Sequence, residues 1–123
     1  MIGSSSAGEK QIIISAYGNS MFPTISDGDM LTIDTSPVDY DIDDIVVFYS
    51  KEKGGLKFIA HRIIHNCNHK MFITKGDNNY FADPPIRLNK IIGKVVKSER
   101  RRDKDEKKTI KKIILYDKTH LGG

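Results

Sequence analysis

The chain has 123 residues, 38% of them apolar, which fits one domain with a small core and leaves little room for a second. Its longest apolar runs are four or five residues, such as Ile45–Tyr49, against the about 20 that a membrane-spanning helix needs. The net charge is +4, yet Lys97–Lys112 alone holds nine Lys or Arg against four Asp or Glu, a balance of +5, so the remainder carries −1.

In chain order, Met1–Lys10 is polar and small, neither a signal peptide nor an anchor, and is expected to be a flexible tail (residues 1–10) before a single domain over 11–123. Gln11–Ala16 reads as a first strand. Gly18–Gly28 is rich in turn residues. Met30–Asp34 alternates with period two, as a half-buried strand does. Thr35–Asp41 is a loop around Pro37. Ile45–Tyr49 is β-branched and aromatic, hence a buried strand. Lys51–Gly55 reads as a hairpin turn between it and a strand over Leu56–Ile64. Met71–Lys75 is the partner of that strand, and Gly76–Pro85 is a loop. Ile91–Lys97 is a strand whose internal Gly93 marks a bulge or bend. Ile110–Tyr116 is a last strand. Seven short strands without helical periodicity predict a mainly β fold, a small folded-over sheet or barrel.

Three segments hold groups that can do chemistry. Ser20 sits in a tight turn after an apolar strand, where its hydroxyl can be exposed and its own N–H can point at a substrate oxygen; an ordinary serine turn has the same pattern. On the strand around Phe58–His65, alternate residues share a face, so His61, Ile63 and His65 are expected together. A histidine among apolar residues is usually a satisfied core group unless a hydroxyl and a carboxylate lie beside it. Thr74–Pro85 supplies Asp77 and Asp83, which also suit turn capping. A calcium loop there lacks the regular oxygen spacing and terminal Glu. Ser20, His61 and one of these aspartates supply the parts of a nucleophile, base and orienter system.

In their order these segments resemble the signature boxes of type I signal peptidases. GNSMFPTI is similar to the nucleophile box, glycine-x-Ser-Met-x-Pro-Thr. GDMLTID is similar to the strand after it, and DDIVVF to the family's GDIVVF with Asp43 in place of glycine. AHRII resembles the base box, TKGDNN the third box and IIGKVV the strand that closes the catalytic core. The likeness runs from Tyr17 to Val96. Bacterial-type members carry Lys at the base position, whereas archaeal and endoplasmic-reticulum-type members carry His, as here.

The resemblance implies a signal-peptidase- and LexA-like fold with Ser20 as nucleophile and His61 as general base. It also implies Asp83, six residues beyond Asp77, as the acid that orients His61, with Asp77 bracing the loop and a larger role for it left open. Gly18 stands where some members place a second hydroxyl donor for the oxyanion. The implied activity is serine endopeptidase cleavage of signal or leader peptides after small residues, with no cofactor and no metal. The implied partner is a secreted-protein precursor or leader peptide. The family is normally anchored, so the expected location is a membrane with the catalytic domain outside the cytoplasm, or solution for a soluble relative. The self-cleaving LexA-type repressors share the fold but use a Lys base. The alternative is a non-catalytic module of the same fold that binds a peptide or partner.

Two features stand outside these boxes. His65, Cys67 and His69 alternate in a way compatible with zinc or copper, although a polar turn is the simpler reading. The lone Cys67 cannot form an internal disulfide. The segment 97–112 mixes both signs without interleaved aromatic residues, which reads as a solvated loop; a binding role would suit an anionic membrane surface, and no nucleic acid is expected.

Overall fold

The computed structural model describes residues 10–100. Residues 1–9 of the tail expected over 1–10, the charged segment beyond Arg100 and the strand expected over Ile110–Tyr116 lie outside the described residues. Seven strands form one antiparallel sheet: β1 (Gln11–Ser15), β2 (Met30–Asp34), β3 (Ile45–Glu52), β4 (Gly55–Cys67), β5 (Met71–Lys75), β6 (Ile86–Arg87) and β7 (Ile91–Glu99). Their spatial order is β1-β2-β7-β3-β4-β5-β6, so the last strand inserts between the second and third. Among the described residues the sheet stays open at β1 and β6, and its one helical piece is a short 3-10 turn, Leu88–Lys90. The mainly β prediction holds.

Side-chain patterning explains the layering. Along β2, Leu31 and Ile33 are buried while Met30, Thr32 and Asp34 are half-buried, the period of two that faces one side of a sheet inward. β3 is buried on both faces. Val46 joins Tyr40, Phe48, Ile63 and Phe72 in one apolar cluster, and Val47 joins Met21, Ile25, Leu31 and Ile33 in another. Cover for both faces comes partly from the connections, with Met21 and Ile25 from the loop after β1 and Tyr40 from the loop before β3.

Three local departures from regular pairing position the site. β7 shifts register between its pairings with β3 and again with β2, on either side of Gly93. A Cβ on Gly93 would stand 2.5 Å from the Asp34 carbonyl oxygen and 2.8 Å from Ile33 Cγ2, so the bend expected there rests on the absence of a side chain. The third shift lies in β4, where Ile63 faces Thr74 but His65 faces the adjacent Ile73. The extra residue, Ile64, turns His65 to the face opposite Ile63. The expectation that His61, Ile63 and His65 share a face is therefore corrected: His61 and Ile63 are buried and His65 is exposed. The hairpin turn is also tighter than Lys51–Gly55, because Glu52 pairs with Gly55 and only two residues lie between.

Candidate active site

The loop between β1 and β2 carries Ser20, and its own backbone folds it. Ala16 N–H donates to the Asp29 carbonyl (2.7 Å) and Gly28 N–H to the Ala16 carbonyl (2.9 Å), which closes the base of the loop. Inside it, Phe22 N–H donates to Asn19 and Ile25 N–H to Met21, winding the stretch after Ser20 into successive turns. Met21 and Ile25 point into the core and pin those turns from below. Gly18 has φ +87°, in the region that favours glycine, and gives its N–H to Asp27 Oδ1 at 2.7 Å. Gly18 therefore adds no side-chain donor, and its amide is committed to Asp27.

β4 brings His61 to this loop. The residue is 6% exposed and its ring meets Phe48 edge-on, with centroids 6.2 Å apart. Its Nε2 lies 3.0 Å from Ser20 Oγ and its Nδ1 2.6 Å from Asp83 Oδ2. A carboxylate can only accept, so Nδ1 carries the ring proton and Nε2 is left to accept the Ser20 hydroxyl. Asp83 is fixed by a second donor. Thr74, fully buried on β5, gives its hydroxyl to the same Oδ2 at 2.7 Å, and Asp83 N–H returns a bond to the Thr74 carbonyl at 2.8 Å. This run of hydroxyl, imidazole and carboxylate can pass the serine proton to a base while holding that base in one tautomer and orientation.

Asp77 lies elsewhere in the same constellation. Both its oxygens accept from Arg62, at 2.9 Å from Nε and 2.8 Å from Nη2, and Oδ2 also accepts from the Thr24 hydroxyl at 2.6 Å. These bonds, the Arg62 bonds foremost, hold its carboxyl below the ordinary aspartate range, and they raise the Arg62 guanidinium in turn. Asp77 thus ties the serine loop, through Thr24, to the strand residue next to His61. Asn78 adds two ties, its N–H to the Ser20 carbonyl (2.8 Å) and its amide to the Asn19 carbonyl (3.0 Å).

The sequence reading assigned no role to Gly76, Thr74 or Arg62. A Cβ on Gly76 would stand 2.6 Å from the Ser20 carbonyl oxygen and 3.0 Å from His61 Nε2, so only glycine lets the chain leaving β5 pass this close to Ser20 and His61. The glycine before Asp77 was the available signal. Nothing in the sequence pairs Thr74 with Asp83.

The HNCNH stretch is half strand and half turn. β4 runs on to Cys67, and Asn68 and His69 then take left-handed φ values of 55° and 58°. His69 Nδ1 lies 2.8 Å from Asp39 Oδ2. Among the described residues no group of three or more His, Cys, Asp or Glu is arranged to hold a metal ion.

The sequence profile described as Peptidase S24-like matches residues 1–96, which spans the serine loop, the histidine strand and both aspartates. No curated protein matches the chain. A strand-built domain with this match is a serine-peptidase-like domain, and the chain belongs to the Peptidase S24-like family.

Proposed function

We propose that this domain is a serine endopeptidase in which Ser20 attacks a peptide carbonyl, His61 takes its proton and Asp83 orients His61. The observation that carries this reading is the continuous path from Ser20 Oγ to His61 Nε2 (3.0 Å) and from His61 Nδ1 to Asp83 Oδ2 (2.6 Å). In the first step the Ser20 oxygen bonds to the carbonyl carbon as its proton moves to Nε2. His61 then gives that proton to the leaving amine, and water repeats the sequence on the acyl-enzyme. Base assistance of this kind is worth about 10²–10⁴-fold. The Ser20 N–H is proposed as the oxyanion donor.

The proposed substrate is a signal or leader peptide of a secreted-protein precursor, cut after small residues. Support comes from the ordered likeness of Tyr17–Val96 to type I signal peptidases with a histidine base. The corresponding location is a membrane with the domain on its outer side, and an anionic surface is the proposed contact of 97–112.

The test combines labelling with turnover. A fluorophosphonate should label Ser20, and the protein should cleave a leader peptide ending in Ala-x-Ala. Ser20→Ala should abolish both while keeping the wild-type melting curve. Asp83→Ala should cost more turnover than Asp77→Asn at equal folded content. A wild-type protein that neither labels nor cleaves, in buffer, detergent or vesicles, would leave the fold as a peptide-binding module.

A further inference from the structure

The loop from Asp77 to Asp83 is held at both ends and bare in the middle. At its start Asn78 is bonded to the carbonyls of Ser20 and Asn19, and Asn79 N–H donates to Gly76. At its end Asp83 is bonded to His61 and to Thr74. Between these anchors Tyr80 is 95% exposed and Phe81 83% exposed. Burying an aromatic side chain of this size gains about 1.5–3 kcal/mol, and here two in succession are left in water. The anchors explain why they stay out, since the loop backbone is tied to the Ser20 carbonyl at Asn78 and to the Thr74 carbonyl at Asp83.

Residues 78–84 line an open hollow of about 410 Å³. The size suits a peptide side chain or a short apolar stretch. The two carboxylates that bound the loop are already engaged, Asp77 by Arg62 and Asp83 by His61 and Thr74, and the residues between them are uncharged. The surface offered is therefore aromatic and neutral. Phe81 lies two residues from Asp83, at most about 7 Å along the chain. An extended peptide advances about 3.3 Å per residue, so one seated at Ser20 can reach this aromatic pair within a few residues of the cleaved bond.

We propose that Tyr80 and Phe81, with the hollow of residues 78–84, form a substrate subsite for an apolar segment of the peptide, separate from any pocket for small residues at the cleaved bond. The proposal deepens the endopeptidase reading and rests on it for the choice of a peptide as occupant. The two aromatic side chains grip the segment by contact alone, so the subsite prefers apolar over polar residues and shows little preference among apolar side chains.

Binding separates this proposal from the catalytic one. Affinities are measured for two peptides with a shared Ala-x-Ala core, one flanked by leucines and one by serines. The proteins are Ser20→Ala, and Ser20→Ala carrying Tyr80→Ser and Phe81→Ser. Ser20→Ala should bind the leucine peptide more tightly, and the added substitutions should remove at least about 10-fold of that preference, the scale of a lost aromatic anchor. Melting temperature reports folding, and both side chains project into solvent. Equal binding of the two peptides by Ser20→Ala overturns the subsite, as does a preference that survives Tyr80→Ser and Phe81→Ser. A substitution effect seen only with anionic vesicles, and not with free peptide, also overturns it by making the pair a lipid contact. Fluorophosphonate labelling of the wild type is read in parallel, so a failed nucleophile assignment appears there and not in the peptide preference.

Discussion

Two residues show how single side chains hold the site. Thr74 is fully buried and its hydroxyl donates to the Asp83 oxygen that also faces His61. A hydrogen bond to a charged group is worth about 1.5–3 kcal/mol, and Val keeps the shape of Thr while removing the donor. Thr74→Val should lower stability by about that amount in urea unfolding. If Thr74 positions Asp83, the variant should also lower kcat with KM unchanged, and Thr74→Ser should recover both. A stability loss with unchanged kcat would make Thr74 structural only. Asp43 is the second case. It takes φ +78°, its N–H donates to the Ile63 carbonyl at 2.9 Å, and its carbonyl accepts from Arg62 Nη1 at 3.2 Å. A residue with a Cβ pays about 1–2 kcal/mol for a left-handed backbone, less for Asp than for most. The signal-peptidase motif that this stretch resembles carries glycine here, and the positive φ supplies a physical reason. Asp43→Gly should raise the melting temperature by a few degrees, as about 1 kcal/mol does in a domain of this size. An unchanged or lower value would mean that the Asp side chain repays the strain.

At the scale of elements, strands whose burial is written as alternation were legible and contacts made by backbone irregularity were not. β2, β3 and β5 follow from their apolar patterns within a few residues of the observed bounds. β6 was missed because Ile86–Arg87 is two residues long and follows Pro84 and Pro85, with nothing periodic to read. The far end of β4 was cut short at Ile64, where the bulge interrupts the period of two and polar residues follow. Ser20, His61 and Asp83 could be named from motif order, but their meeting depends on β4 and β5 pairing in one register. Elsewhere in the sheet the β2–β7 pairing rests on a glycine at a close backbone approach. At Gly93 an added methyl would press on the backbone of Asp34 at 2.5 Å, and a backbone neighbour cannot rotate away. Gly93→Ala should destabilise by about 1–3 kcal/mol, the cost of overpacking. Far-UV circular dichroism during urea unfolding checks this, and a neutral result would mean that β2 slides without cost.

For the whole molecule, Asp77 and Tyr40 make the stability depend on pH, one on each side of neutrality. Asp77, pulled down by Arg62 and then by Thr24, has a folded pKa below its unfolded value near about 4. Its contribution is present above that value and is lost as pH falls through the depressed folded pKa. Tyr40 sits at 4% exposure in the cluster with Val46, Phe48, Ile63 and Phe72, and burial raises its phenol above the ordinary value of about 10. An acid whose folded pKa is raised stabilises the fold below its unfolded pKa, and that contribution fades as pH climbs from there through the folded value. Stability should therefore be flat between about pH 5 and 9 as far as these groups are concerned, falling on both sides. The two limbs have different owners. Asp77→Asn should make the acid limb shallower, leaving the share of Asp34 and Asp41, and lower the plateau, because Arg62 loses a bidentate partner that also links the serine loop to β4. Tyr40→Phe should flatten the alkaline limb and leave the plateau nearly unchanged, since the phenol makes only a long bond, 3.4 Å, to the Pro37 carbonyl. Urea midpoints from pH 3 to pH 11 on the three proteins decide it. If Asp77→Asn left the acid limb intact, the link between serine loop and histidine strand would not depend on that carboxylate, and the ties from Asn78 would have to carry it.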